Sequence, residues 1–311
     1  MSKAKKELKV IRFMSQRKLA AIFSLLLIIG SIASLATNGL KFGLDFTGGS
    51  QIEVGYQTPA DVNAIRQQLV QAGFPDPVVV HFGAETDVLI RMQEDSDAEL
   101  GDKVMDTLRT DGSDVELRRV EFVGPQVGEE LRDDGGIGML FALAVVMIYV
   151  AMRFQFKFSV GAVAALAHDV VIVLGVFSVL QIDFDLTVLA AVLAVIGYSL
   201  NDTIVVSDRI RENFRKIRKA DSVEVIDISL SQTLGRTLVT SLTTLLVLVA
   251  LFYFGGELIH GFSIALLVGV AIGTYSSIYV AANVLLMMGI SKEDLMQVEV
   301  EKEGAEFDEM P

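Results

Sequence analysis

The sequence predicts a polytopic α-helical membrane protein with six transmembrane helices and one α+β, ferredoxin-like extracytoplasmic domain. The first observation is hydropathy, since the mean over 311 residues is +0.52 and only 21% of the positions are charged. The second is that six separate windows are apolar over the length of a membrane span. The third is that the segment 38–135 is polar and alternates strand and helix patterns. This hydropathy argues against a purely soluble enzyme.

The six apolar windows are each close to the roughly 20 residues that cross the hydrocarbon core of a bilayer. They are 19–37, 136–152, 158–180, 186–208, 237–254 and 262–289. The first window follows a basic leader and contains Ser34-Leu35-Ala36, a pattern that a cleavable signal peptide also has. We expect a retained anchor, because the apolar stretch is longer than a usual signal core and a tethered domain follows it.

Orientation follows from the Lys and Arg content of the short loops, which resist crossing the membrane. Basic residues are concentrated in 1–18, in 153–157 and in the loop 209–236, whereas 181–185 and 255–261 contain none. We therefore expect a multi-pass protein with a cytoplasmic basic N-terminus, a cytoplasmic acidic tail and a cytoplasmic loop between spans four and five. The predicted segments are the N-terminus at 1–18, the first span at 19–37, the extracytoplasmic domain at 38–135, spans two to six within 136–290, and the tail at 291–311. Ile210, Phe214 and Ile217 recur at helical spacing in that loop, which predicts an amphipathic hairpin at the lipid headgroups.

The extracytoplasmic segment 38–135 carries the pattern of a small folded domain. Alternation at 51–54 predicts a strand, and Val62, Ile65 and Leu69 have the spacing of a helix that Gly73 ends. Two strands follow at 78–82 and 88–92, then a helix around 100–108 and a last strand that ends before Gly124-Pro125. This βαββαβ order predicts a ferredoxin-like sandwich.

Composition excludes several classes of partner and site. The net charge is −13, so a nucleic acid would be repelled, and no nucleic-acid partner is expected. The absence of cysteine excludes disulfides, thiolate nucleophiles and cysteine zinc sites. No metal or cofactor is indicated, and the chain has no HExxH, nucleophile elbow or Walker loop.

Asp202 is the leading candidate for a functional side chain within the membrane. It lies with Asn201 in a polar island, 197–203, inside an otherwise apolar span, and a carboxylate there is costly to insert. Arg236 stands at the cytoplasmic mouth of span five, from which a long side chain can reach the depth of Asp202. The pair is a candidate proton switch, because small helix movements change both desolvation and the guanidinium's attraction. Two alternatives stay open: Asp202 can hold helices together, and Arg236 can simply satisfy the positive-inside rule.

His168 and Asp169 form a second intramembrane pair, in span three. They can extend a proton relay toward Asp183 and Asp185 in the outer loop, although His168 alone is more typical of a packing residue. Adjacent residues on a helix point about 100° apart, which makes a shared metal site poor. The small residues Gly269, Gly273, Ser277 and Ala281 recur every fourth position in span six, a pattern that indicates close helix packing and no other role.

Four sequence blocks resemble the SecF signature of the SecD/SecF family, the bacterial protein-export membrane subunits. They are 42–49 (FGLDFTGG), 121–125 (EFVGP), Ala167-His168-Asp169, and the long block 195–214 through the end of span four. The resemblance covers nearly the whole chain in order. Within the first block, the family signature loop contributes Gly43, Asp45, Gly48 and Gly49.

The resemblance implies a six-span half of a SecD–SecF complex in the bacterial inner membrane, related to the resistance-nodulation-division transporters. It implies use of the proton motive force to promote preprotein translocation and release after passage through the Sec channel. The proton-coupling residues it implies are Asp202 and Arg236, and Asp169 matches a family position, so we group His168 and Asn201 with them. Expected partners are SecD, the SecYEG channel, YajC and YidC, with preproteins, protons and membrane lipid.

Two other functions remain as alternatives. A proton-coupled exporter of lipids or small molecules has the same architecture and predicts an apolar substrate pocket. A passive scaffold of the translocase predicts that Asp202→Asn keeps full export. The residues that would contact preprotein form no motif, and the acidic tail lies outside the matching blocks.

Overall fold

The computed structural model describes residues 10–92, 100–110, 114–217 and 219–295. Residues 1–9 of the predicted basic N-terminus and most of the predicted acidic tail lie outside these described residues. In chain order the helices and strands are α1 (Arg17–Thr37), α2 (Leu44–Thr47), β1 (Gly49–Tyr56), α3 (Val62–Gln71), β2 (Val78–Phe82), β3 (Ala84–Met92), α4 (Leu100–Arg109), β4 (Val115–Val123), α5 (Pro125–Arg153), α6 (Phe156–Leu180), α7 (Leu186–Lys216), α8 (Ser222–Phe254) and α9 (His260–Met287).

Among the described residues, six helices are long and apolar enough to cross a membrane, and each coincides with one of the predicted spans, the last of them ending at Met287 rather than at residue 289. They are α1, α5, α6, α7, α8 and α9. The helix α5 begins eleven residues before its predicted span, because Pro125 at its first turn starts a helix that runs directly from β4 into the membrane. The bundle is therefore joined to the sheet without a flexible linker at this point.

The predicted amphipathic hairpin at 209–236 is not a separate element lying on lipid. Instead α7 continues to Lys216, and α8 begins at Ser222 behind a cap in which Asp221 accepts a 2.7 Å hydrogen bond from the Glu224 amide. Ile210 and Phe214 are buried within the protein core. Their helical spacing thus reflects packing between helices rather than contact with headgroups.

The core of the bundle lies among α6, α7 and α9, whereas α1, α5 and α8 surround it. More than half of the apolar window of α6 and of α7 is buried, against 6% for α5. Large apolar side chains such as Leu26, Phe141 and Leu246 are correspondingly exposed on the outer helices. The small residues of span six do pack closely, as predicted: a Cβ at Gly269 would lie 2.1 Å from a Val195 methyl.

The sheet domain, residues 49–123, is an antiparallel four-stranded sheet with the order β2-β3-β1-β4. Together with two helices on one face, this is the ferredoxin-like arrangement that the element order predicts. Ile52 pairs with Ile90, and Val54 with Val88, so these four side chains share the face that packs on α3 and α4. Gly83, with φ +81°, makes the tight turn between β2 and β3.

Candidate functional site in the membrane bundle

The Asp169 carboxylate is the centre of a hydrogen-bond network that joins three helices. It is 1% exposed, and its Oδ2 accepts hydrogen bonds from Ser199 of α7 at 2.5 Å and from Ser276 of α9 at 2.7 Å. Its Oδ1 lies 2.9 Å from His168 Nδ1. A Cβ at Gly273 would approach Ser199 to 3.1 Å, so glycine at this position lets the hydroxyls converge on the carboxylate. Among the described residues, the partners of Asp169 thus come from α6, α7 and α9.

His168 is buried beside Asp169, as the sequence implies. Its Nε2 has no hydrogen-bond partner within the described part of the chain. The side chain lines a cavity of about 250 Å³ between α1, α6 and α9, with mostly apolar walls. The Tyr275 ring lies 6.1 Å from the imidazole, and the Tyr275 hydroxyl donates to the Ala20 carbonyl at 2.7 Å.

The structure does not support the predicted extension of this pair toward Asp183 and Asp185. Asp183 forms an ion pair with Lys41 at 2.7 Å, and Asp185 caps α7 by accepting from the Val188 amide at 2.8 Å. Both carboxylates are thus used at the sheet-domain end of the bundle. Among the described residues, no hydrogen bond connects them to Asp169.

Asp202 presents the opposite situation to Asp169. It is 4% exposed, yet its Oδ2 has no hydrogen-bond partner among the residues that the structure describes. Neighbouring hydroxyls are paired elsewhere, since Thr203 bonds to Ser277 at 3.0 Å. A buried and unsatisfied carboxylate in a membrane span is costly, so its charge must be removed or balanced.

Arg236 supplies the basic charge that acts on Asp202. The two side chains interact electrostatically across α7 and α8, but they form no direct ion pair in the part of the chain that the structure describes. Arg236 is exposed at the bundle surface and lines a cavity of about 270 Å³ that also contains Arg209, Glu212 and Gln232. Asn201 is exposed as well, beside Asp202 on α7. The structure therefore brings Asp202 and Arg236 near each other, and no hydrogen bond links either to the Asp169 network among the described residues.

The signature loop lies at the junction of the sheet domain and the bundle. Gly43 donates its amide to the Phe184 carbonyl at 2.9 Å, and Asp45 Oδ2 accepts from the Leu186 amide, at the start of α7, at 3.0 Å. Gly48, with φ +75°, packs against Pro125, where a Cβ would lie 2.8 Å from backbone. Gly49 begins β1.

Several residues of these networks were not found from the sequence. Ser199 and Ser276 are ordinary in an apolar helix, and only a pattern of hydroxyls at the depth of Asp169 would have indicated them. Asp227 of α8 is 5% exposed and accepts from the Met14 amide at 2.9 Å. Nothing in the sequence distinguishes it, since the loop 209–236 also contains Glu212, Asp221 and Glu224.

This chain matches known protein families and known proteins over most of its length. The family described as "Protein export membrane protein SecD/SecF, C-terminal" matches residues 103–291, and "SecD/SecF GG Motif" matches residues 33–60, which contain the signature loop. Proteins described as protein translocase subunit SecF are similar over most of their length. The one from Vibrio alginolyticus is 53% identical over 97% of this chain and 98% of its own. The one from Pseudomonas aeruginosa is 56% identical over 92% and 94%, and the one from Escherichia coli O157:H7 is 45% identical over 96% and 94%.

Among solved structures, SecDF from Thermus thermophilus, described as a translocon-associated membrane protein, matches 90% of this chain with a TM-score of 0.79 and 35% identity. A SecDF structure in a super-membrane-facing form matches with a TM-score of 0.70. The chain spans 39% of the length of each SecDF chain. It therefore belongs to the SecF family, the subunits that form the SecF part of the SecDF protein translocase.

Proposed function

We propose that this chain works with SecD as a proton-driven accessory subunit that promotes preprotein translocation and release on the outer side of the bacterial inner membrane. The preprotein would first pass through the SecYEG channel, and YajC and YidC would be further partners. The observation that carries the proposal is the Asp202 carboxylate, which is buried in a membrane span, whose Oδ2 has no hydrogen-bond partner among the described residues, and which interacts with the Arg236 charge.

The geometry around Asp202 supports a group that changes its charge during the cycle. Ionised, the carboxylate has only the attraction of Arg236 to offset its burial; protonated, it no longer needs that attraction. Arg236 attracts the ionised Asp202 carboxylate but not the protonated one, and no short ion pair holds the two side chains together. The preferred spacing of α7 and α8 therefore differs between the ionised and the protonated state. Proton binding is thereby coupled to helix movement.

The energy is adequate for mechanical work on a polypeptide. One elementary charge that crosses 100 mV releases about 2.3 kcal/mol, and each pH unit adds about 1.4 kcal/mol. This is on the scale of a few weak peptide contacts per proton.

The experiment measures completion of preprotein translocation in membrane vesicles that contain SecD and either this chain or its Asp202→Asn variant, with and without a proton gradient. Asp208→Asn is the matched control, because Asp208 lies on the same helix but is half exposed and paired with Arg153 at 3.2 Å. Recovery of equal amounts of complex by pull-down excludes an assembly defect.

We expect the gradient to accelerate preprotein translocation in vesicles that contain the parent chain or Asp208→Asn, and to have no such effect in vesicles that contain Asp202→Asn. If the gradient still accelerates Asp202→Asn, the proton-coupling role is wrong and the passive scaffold is favoured. If the parent chain moves small apolar molecules, and if this transport is unchanged when the Sec channel is removed, the exporter alternative is favoured.

We also propose that both termini face the cytoplasm and that residues 38–135 are extracytoplasmic. The support is the Lys and Arg asymmetry of the loops together with six spanning helices. Because the chain has no cysteine, single cysteines report topology directly. Thr110→Cys, on the surface of the sheet domain, should react with an impermeant thiol reagent from outside, and Lys219→Cys only from the cytoplasmic side. The reverse pattern would overturn this orientation.

A further inference from the structure

The sheet domain is mounted on the bundle through two neighbouring chain segments. Its central strand β1 begins at Gly49 directly after the signature loop, and its partner β4 ends at Val123, two residues before α5. Gly49 pairs with Val123 in the ladder, so the two connections leave the sheet side by side. Gly48 lies against Pro125, and a Cβ at Gly128 of α5 would be 2.8 Å from the Gly48 amide. At both connections the backbone is packed directly against backbone.

The signature loop is also tied to the segment between α6 and α7. Lys41 and Gly43 make two backbone hydrogen bonds with Phe184, at 2.7 and 2.9 Å. The ring of Phe46 is buried and stacks on that of Phe184 at 6.1 Å. Arg91 of β3 adds a longer ion pair of 3.8 Å to Asp183 of the same segment. The sheet domain and the segment that starts α7 therefore share one packed cluster.

Asp45 makes a contact of particular consequence within this cluster. The helix α7 already has its own cap, since Asp185 accepts from the Val188 amide. Asp45 accepts from the Leu186 amide, a second of the donors that a helix leaves unsatisfied at its N-terminus. Two carboxylates thus face the positive end of the α7 dipole, and one of them comes from the signature loop.

We propose that the signature loop, residues 42–49, together with the preceding Lys41, is a rigid joint through which the sheet domain and the start of α7 move as one body, with Asp45 as its positioning residue. The inference rests on the proposed proton coupling, since α7 also carries Asp202. Sixteen residues separate Leu186 from Asp202, about 24 Å of continuous helix. A displacement of α7 at Asp202 is then delivered to the base of the sheet domain without passing through a flexible linker.

A disulfide across the joint tests its rigidity. A Cβ at Gly43 would lie 3.0 Å from Asp185 Cβ, so a separation by about 0.5–0.8 Å gives the Cβ–Cβ distance of a disulfide, and the parent chain has no cysteine. In the vesicle assay above, the double variant Gly43→Cys/Asp185→Cys is compared in its oxidised and reduced forms, with each single variant as a control for the loss of the native side chain.

We expect rapid crosslinking and equal gradient-driven acceleration in the oxidised and reduced forms, because a joint that never opens is not impeded by a bond across it. Failure to crosslink would overturn the adjacency. Acceleration that is lost on oxidation and returns on reduction would show that the joint opens during the cycle, and would overturn its rigidity.

Substitution of Asp45 tests the positioning role. Asp45→Ala removes the acceptor for the Leu186 amide, and we expect the gradient-dependent acceleration to fall about fivefold, as for the loss of one helix cap. Asp45→Asn keeps an acceptor oxygen and should restore most of it at equal SecD pull-down. Equal acceleration in Asp45→Ala and the parent would overturn this role. Asp202→Asn, run in parallel, separates the outcomes: if it keeps acceleration, proton coupling itself has failed, whereas a failure of the joint alone leaves the Asp202 result intact.

Discussion

Gly269→Ala should destabilise the bundle strongly, although it adds a single methyl group. That Cβ would lie 2.1 Å from Val195 Cγ2 and 2.7 Å from Cγ1, whereas ordinary contact begins near 3.4 Å. The helices α7 and α9 must therefore separate by about 1.3 Å at this level, and overpacking of this kind costs about 1–3 kcal/mol. Ser199 lies one turn beyond Val195, and Ser276 two turns beyond Gly269, so the same separation stretches their bonds to Asp169. With about 1.5 kcal/mol for the weakened bonding to the carboxylate, the total is about 2.5–4.5 kcal/mol.

The matched control is Gly197→Ala, in which the new Cβ has nothing within 4 Å. Alanine there removes the entropic penalty of glycine in a helix, so the variant should be neutral or slightly stabilised. The assay is the fraction of purified protein that stays monodisperse in detergent after heating, followed over temperature. We expect Gly269→Ala to lose at least about 5 °C relative to the control. Equal midpoints for the two variants would refute the packing argument, because only the space around the glycine differs.

Three further predictions concern other parts of the chain. Ser276→Ala removes one donor from the buried Asp169 carboxylate and should lower the same heating midpoint by the equivalent of about 1.5–3 kcal/mol; an unchanged midpoint would show that this hydroxyl does not support Asp169. Asp61→Ala removes the side-chain cap that accepts from the Asn63 amide at 2.9 Å, and should weaken hydrogen-exchange protection in α3 by about 1 kcal/mol, with Asp61→Ser as the rescue. Burial raises the pKa of Tyr56 to about 12, so the folded state favours the neutral phenol. Its contribution to stability should be complete below pH 10 and lost between about pH 10 and 12, and Tyr56→Phe should abolish that step in the pH dependence of sheet-domain unfolding.

The fold was predictable because its two parts carry strong and different periodicities. Apolar windows of span length locate the six helices, and the βαββαβ order gives the ferredoxin-like domain with its helix and strand positions nearly correct. The errors occur where a helix leaves the hydrocarbon, as at Pro125 and beyond Asp208, since hydropathy falls there while the backbone hydrogen bonding of the helix continues. Ile210 and Phe214 illustrate a related limit: an amphipathic spacing gives the buried face but not whether lipid or protein covers it.

The candidate site was predictable in its charged residues and not in their partners. A carboxylate in an apolar helix is conspicuous, so Asp169 and Asp202 could both be found. Whether such a carboxylate is satisfied depends on hydroxyls on other helices, which for Asp169 are those of Ser199 and Ser276, 30 and 107 residues away in the chain, and these have no signature of their own. The same holds for Asp45, whose family block is recognisable while its bond to the Leu186 amide is a property of the folded junction.

Asp169 and Asp202, the two buried acids that the sequence places together in one proton path, differ in what a proton would change. Asp169 accepts from Ser199 and Ser276, so loss of its charge weakens the two hydrogen bonds that hold α6 to α7 and α9, as well as its contact with His168 within α6. The buried Oδ2 of Asp202 has no hydrogen-bond partner among the described residues, and protonation there removes a desolvation penalty. A group that changes its proton in every cycle should be the one whose two states are closest in free energy. We therefore expect Asp202→Asn to abolish proton coupling in an intact protein and Asp169→Asn to lower stability first, a difference that heating midpoints and translocation rates measured on the same preparations would decide.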